Sequence, residues 1–372
     1  MRDAMMILPR APLLPVALLL LSFSAAAQPD TAWQLPRADS LVEAHYRSGA
    51  FMGIAAGASV HGTIRWTRSD GYANEEKKIP FAPTTRTRIA SIAKPMTAIA
   101  IMQLVEQGRI DLDAPIQTYV PEFPKKALGT ITVRQLLQHS AGIGEYVSNK
   151  ERENQHHYPS LNEAMAIFQG RDPIDTPGTA FHYTTYGYVI LGVVVERVSG
   201  MSYAAYMRTH IREKAGMTNT GVEEPGMAGG DHATLYHINS KGRISIEQPT
   251  DLSDRVPGGG LYSCLTDMLR FGDAVLNGTL ISTASLMEML KDPGLKKQGN
   301  GYGLGWYLYG KNPKHGPVFG HNGSQTGAST YLMLLPDRGI SIVVLSNTSG
   351  AMQAVSDITI GLIDPVAAGA GQ

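Results

Sequence analysis

Ser91 and Lys94, three residues apart in Ser91-Ile92-Ala93-Lys94, are the side chains best spaced for covalent chemistry. A serine hydroxyl is a weak nucleophile at neutral pH and needs a neighbouring base. Residues three apart share a helix face, so an amine at position 94 can reach the hydroxyl at 91. At a helix start that hydroxyl also sees the positive end of the helix dipole, which favours a developing oxyanion. Pro95 is tolerable there, because first-turn amides have no intrahelical acceptor to lose. A lysine acting as base must be neutral, which burial beside cationic groups arranges. The pair taken alone also reads as a helix cap beside a solvated charge. Its surroundings, Ile89-Ala90 before it and Met96 to Met102 after it, are apolar and favour the chemical reading.

Two further elements can complete an acyl-transfer site. Tyr183, in Tyr183-Thr184-Thr185 ahead of an apolar helix, can put its hydroxyl into a cleft and pass a proton to a leaving group. On its own it is equally an amphipathic packing residue. Phe319-Gly320-His321-Asn322-Gly323-Ser324 reads as a strand whose glycines let a substrate backbone come close. The amide of Ser324 can then donate to an oxyanion and His321 to the substrate, although a strand histidine is as readily a structural one. Lys314-His315-Gly316 is a rival just upstream, but Asn312 and Pro313 mark it as loop.

These residues need elements to hold them. Met52 to Val60 and Thr63 to Thr67 read as strands joined at His61-Gly62. Ile89 to Gly108 carries apolar residues at helical spacing, and shorter helices are expected at Ser40 to Arg47, Val133 to His139, Leu161 to Phe168, Tyr186 to Val198 and Tyr203 to Lys214. From about Leu235 the texture changes to strands: Tyr302 to Leu308, Val318 to Gly320, Ser329 to Leu335 and Ile340 to Leu345, the last two joined by Pro336-Asp337-Arg338-Gly339. A closing helix is expected over Ala351 to Leu362, followed by a Gly/Ala tail. The expected fold is α+β: one antiparallel sheet of N- and C-terminal strands flanked by helices, with a mostly helical middle over about 91–234. The site would lie at the junction.

Composition narrows the function classes. Lys and Arg number 32, as do Asp and Glu, and this balance with no long basic run excludes a nucleic-acid partner. Arg2 and Arg10 precede the apolar stretch Ala11 to Leu21, and Ser24-Ala25-Ala26-Ala27 offers the small residues of a cleavage site. Residues 1–27 therefore read as a signal peptide, and 28–372 as a single domain that is periplasmic or secreted. The apolar run is short of the ~20 residues a span needs, so no stable membrane span is expected after cleavage. Cys264 is the sole cysteine, so no intrachain disulfide forms, and it reads as a small buried hydrophobe. No His-Glu-x-x-His run or dense ligand cluster is present, so neither metal nor cofactor is expected. The partner is a small-molecule or peptide substrate.

In this order and at these separations, the three polar elements resemble the serine β-lactamase and penicillin-recognising family, in its class C β-lactamase and D-alanyl-D-alanine carboxypeptidase B branch. That family's motifs are Ser-x-x-Lys, then Tyr-x-Asn or Tyr-x-Ser, then Lys or His-x-Gly on the strand beside the site. The resemblance runs from about Ala38 to Ile363 and takes in Ile131-Thr132-Val133-Arg134-Gln135-Leu136-Leu137 and His139-Ser140-Ala141-Gly142-Ile143. It implies a β-lactamase/DD-peptidase-like fold with Ser91 as the acylated nucleophile. Lys94 and Tyr183 are then the proton-handling pair, with the formal base left open. The amides of Ser91 and Ser324 would form the oxyanion hole, and His321 would face the substrate from the edge strand. Two departures stand out. Thr185 replaces an Asn that bonds a substrate carbonyl, and His321 replaces a Lys that would be a fixed cation. Both shift weight from β-lactams toward D-amino-acid peptides, amides or esters, and His321 predicts activity on anionic substrates that rises as pH falls. The expectation is an exported serine hydrolase; its alternative is a catalytically silent scaffold or binding protein.

Overall fold

Both hairpin turns expected from the sequence lie at one end of the same sheet, where the His61 N–H donates to Gly339 O at 2.8 Å. The computed structural model describes residues 33–229, 232–295 and 301–371; the expected signal peptide lies outside them. Eight strands make the main sheet: β1 (Gly53–Val60), β2 (Thr63–Asn74), β3 (Ile79–Pro80), β4 (Gly301–Tyr302), β5 (Tyr307–Asn312), β6 (Gly316–Gln325), β7 (Ala328–Leu335) and β8 (Ile340–Ser346). Their order is β3-β2-β1-β8-β7-β6-β5-β4, antiparallel throughout. The N- and C-terminal strands meet at the β1–β8 seam, where Ile54 faces Ser346 and Val60 faces Ile340. The fold is thus α+β, an antiparallel sheet flanked by helices.

Both faces of the central strands are covered, so they read as near-continuous apolar runs. In β8, Ile342 and Val344 pack on one side with Val355, Ile358 and Val366, while Val343 and Leu345 join the opposite core. The first side is roofed by α1 (Pro36–Arg47), α5 (Met352–Gly361) and α6 (Ile363–Gly369). The last of these occupies the expected Gly/Ala tail, because Ile363, Val366 and Ala367 fall on one buried stripe. The other side carries α2 (Ala93–Glu106), α3 (Tyr186–Ser199) and α4 (Leu265–Leu276). α4 has no counterpart among the expected helices, although Leu265, Met268, Leu269 and Val275 lie buried at helical spacing along it.

One expected strand is broken. Tyr302 to Leu308 separates into β4 and β5 around Gly305, whose φ of 85° turns the chain. β5 then pairs with Gly316 to Gly320 of β6, so β6 is not a free edge along its whole length. Its open side runs from His321 to Gln325, where no strand of the described residues pairs. Among the described residues no single helix is long and apolar enough to cross a membrane.

Candidate active site

Ser91 sits in a 3-10 turn, Ala90–Ile92, that leads directly into α2. Ala90 has φ +50°, a conformation that non-glycine residues rarely adopt and that local packing must hold. Here the Ile89 N–H donates to Leu261 O at 3.1 Å, and the Thr330 hydroxyl donates to Ile89 O at 2.9 Å. β6 presses against the same turn. A Cβ on Gly323 would lie 2.5 Å from Thr330 Oγ1, 2.7 Å from Ile89 O and 2.9 Å from Ala90 Cβ. Gly323 is therefore needed for the turn that carries Ser91 to dock, beyond the expected approach of a substrate backbone.

One turn on, Lys94 is fully buried. Its Nζ lies 3.1 Å from Ser91 Oγ, 2.8 Å from Gly258 O and 3.4 Å from Thr185 Oγ1. The Tyr183 and Tyr188 rings lie 4.7 and 5.7 Å from it. Burial brings its pKa down to about 7; Glu145 pulls it upward and Arg255 downward. An ammonium would donate to all three oxygens. The neutral amine keeps two donors for Gly258 and Thr185 and turns its lone pair to the Ser91 O–H. The geometry thus suits proton transfer in place.

Tyr183 follows the buried pair from the loop ahead of α3, its phenol beside Ser91. Burial holds its phenol well above the ordinary range, and Tyr307 adds to that. It is a neutral O–H at physiological pH, able to donate and relay, and not a phenolate base. Thr185 closes the group: a Cβ on Gly258 would collide with its side chain, 2.7 Å from Thr185 Cγ2.

His321 departs from expectation. It has no exposed surface, and its ring lies among Tyr302, Tyr307 and Tyr183. Its Nδ1 is 2.6 Å from Asn322 O and its Nε2 is 3.0 Å from the Tyr302 hydroxyl. Carbonyls only accept, so Nδ1 carries the proton and Nε2 accepts from Tyr302. Burial and then Lys94 push its pKa to about 3. The expectation of a charge appearing on His321 between pH 5 and 8 is therefore corrected: the ring stays neutral and supports Tyr302 and Tyr183 from behind. Ser324, three residues along β6, does face the open site.

Ser91, Thr185, Gly258, Ser324 and Gln325 share a cavity of about 420 Å³ whose walls include Tyr146, Arg255, His237, Glu247 and Ser349. A larger cavity of about 1360 Å³ opens beside Trp33, His61 and Ala368, but none of these site residues lines it. Several residues around the site carry no local signal in the sequence. In the glycine tract Gly258-Gly259-Gly260, Gly258 supplies an acceptor for Lys94 and Gly259 O accepts from Gln325 at 3.1 Å. Arg88 is buried, pairs with Glu223 at 2.6 Å, and donates to Thr250 O and Thr326 O at 2.8 and 3.1 Å, tying the short strand Thr87–Arg88 ahead of Ser91 to the cavity rim. Arg255 is locked to Asp254 at 2.7 Å. Glu145 bonds the Thr185 N–H at 2.5 Å from 40 positions away, a contact no local pattern announces. Among the described residues no group of three or more His, Cys, Asp or Glu is placed to hold a metal ion.

A family model described as Beta-lactamase matches residues 38–362. The chain is 29% identical over 378 residues to the mitochondrial serine beta-lactamase-like protein of Homo sapiens, covering 77% of this chain and 69% of that one. Among solved structures, it is similar to a penicillin binding protein from Bacillus halodurans, with TM-score 0.74 and 25% identity over 87% of this chain and 100% of the other. It is also similar to a D-stereospecific amidohydrolase from Streptomyces sp., with TM-score 0.73 and 26% identity over 88% of this chain and 98% of that one.

Proposed function

This chain belongs to the beta-lactamase family, and from that premise we propose that it is an exported serine hydrolase of the class C and D-alanyl-D-alanine carboxypeptidase B branch, working through a Ser91 acyl-enzyme. The observation that carries this reading is Lys94: a fully buried amine 3.1 Å from Ser91 Oγ, with a pKa near neutrality.

The neutral amine takes the Ser91 proton as Oγ bonds to the substrate carbonyl carbon, and the oxyanion turns to the amides of Ser91 and Ser324. Tyr183 donates its proton to the leaving nitrogen or oxygen and is refilled from Lys94 as the carbonyl–leaving group bond breaks. In deacylation a water attacks, gives its proton to Lys94, and Ser91 Oγ leaves with that proton.

D-amino-acid amides, peptides and esters rank ahead of β-lactams as substrates. His321 is neutral and buried where a fixed lysine cation would hold a β-lactam carboxylate, and Thr185 lacks a carboxamide. The likeness to a D-stereospecific amidohydrolase supports the same ranking. A fluorophosphonate and a fluorescent penicillin are expected to label wild type at Ser91 and to leave Ser91→Ala unlabelled; equal labelling of both would sink the reading. Turnover of D-amino-acid amides, p-nitrophenyl esters and nitrocefin then divides the substrates, with the lactam expected to be the slowest.

A further inference from the structure

Glu145 has no part in the steps above, yet it is tied to the base. Its Oε2 accepts the Thr185 N–H at 2.5 Å, and the Thr184 and Thr185 side chains lie beside its carboxylate. Thr185 Oγ1 in turn accepts from Lys94 Nζ at 3.4 Å. Thr185 thus meets both neighbours, Glu145 through its backbone N–H and Lys94 through its hydroxyl oxygen. The line runs Ser91 Oγ, Lys94 Nζ, Thr185, Glu145.

The groups facing Lys94 limit what else could balance its charge. They are Glu145, Arg255 from the segment before Gly258, the Tyr183 and Tyr188 rings, and His321 from β6. His321 is neutral, and Tyr183 is an un-ionised phenol. Arg255 repels the ammonium, and its own carboxylate partner is Asp254. That leaves Glu145 as the anion acting on Lys94. Burial raises the Glu145 carboxyl, with Lys94 and the Thr185 N–H drawing it back down, so each charge favours the other.

We propose that Glu145 is a positioning residue of the acyl-transfer site: it holds Thr185 against Lys94 and supplies the counter-charge whenever Lys94 carries the Ser91 proton. No proton moves onto Glu145 in this role. It rests on the reading of Ser91 as nucleophile and Lys94 as base, and it makes Thr185 the link between a carboxylate and that base.

The experiment measures the rate constant for fluorophosphonate labelling of Ser91 from pH 5 to 9, with melting temperatures, in wild type, E145Q, E145D and T185V. In wild type the rate rises with pH as Lys94 loses its proton. In E145Q the ammonium loses its anion, so the inflection moves to lower pH by about 1 unit, and E145D moves it back toward wild type. T185V, nearly isosteric, removes an acceptor from Lys94 and shifts the inflection the same way by less; it carries the test if E145Q fails to fold. Wild-type labelling with inflections unmoved in the folded variants overturns the role of Glu145 alone. No label at Ser91 in wild type at any pH overturns the nucleophile reading and this role with it.

Discussion

A lysine with no exposed surface either keeps its charge at a cost or gives it up near neutrality, and Lys94 does the second. Since its pKa is about 7, the neutral, proton-accepting fraction grows from pH 6 to 8. The acylation rate is therefore expected to climb over that range and then level, and Lys94→Ala to lose about 100- to 10,000-fold of it. Stopped-flow labelling of Ser91 across pH reads both; a rate independent of pH between 6 and 8 would remove Lys94 as base. His321 predicts the opposite behaviour. With a pKa near 3 it stays neutral from pH 5 to 8, so anionic and neutral esters are expected to share one pH profile for kcat/KM. An extra rise for the anionic ester toward pH 5 would contradict the buried, neutral ring. Ser91, Lys94 and Tyr183 were legible because residue type and short spacing are local information. The neutrality of His321 was not, because it comes from burial of the ring and from Lys94 nearby, and no sequence spacing reports that packing.

At the scale of elements, α2 is buried on every side from Ala93 to Leu104, and for that reason its lysine is out of water. The apolar spacing gave the helix away, although its first turn is 3-10 and starts from a strained Ala90. That strain is held by β6 and β7, so substitutions there should reach Ser91. Gly323→Ala would place a Cβ 2.7 Å from Ile89 O and 2.5 Å from Thr330 Oγ1, and the carbonyl cannot move without moving Ala90. Overpacking of this kind costs about 1–3 kcal/mol. Labelling of Ser91 is expected to slow more than thermal stability falls, and calorimetry beside the labelling rate separates the two. An unchanged labelling rate in a folded variant would show that the turn does not depend on β6. The signal for α4 was present in the sequence and lost among the surrounding strand-like texture. The division of β4 from β5 depends on one left-handed glycine, which local propensity does not distinguish from the others.

Across the whole molecule, the N- and C-terminal strands close one sheet, and that topology followed from apolar runs at both ends with helical spacing between them. The means of clamping the seam was not visible. Asp273 on α4 is buried beneath it and accepts from Ser59 of β1 at 2.5 Å and from Ser341 of β8 at 3.1 Å, both on Oδ1. Three polar residues far apart in sequence thus tie a helix to both sides of the β1–β8 join, and each alone looks like an ordinary surface residue. Gly272 beside Asp273 brings the helix close, since a Cβ there would sit 2.7 Å from Ser341 Oγ. Burial raises the Asp273 carboxyl above its ordinary value, and the two serine hydroxyls only partly oppose it. The folded state therefore holds this proton more tightly than the unfolded chain. The resulting stability is fully present below the unfolded pKa of about 3.9 and is lost as pH rises through the higher folded value. Asp273→Asn keeps an Oδ1 that can accept from both serines and has no charge to bury. Its melting temperature relative to wild type is accordingly expected to improve between pH 4 and pH 8, by about 2 °C for each kcal/mol removed. Asp273→Ala, which leaves both serine hydroxyls without their acceptor, should melt below wild type at either pH. Differential scanning calorimetry of the three proteins at the two pH values decides it: an Asn variant whose offset does not change with pH would mean that the seam is clamped by packing alone.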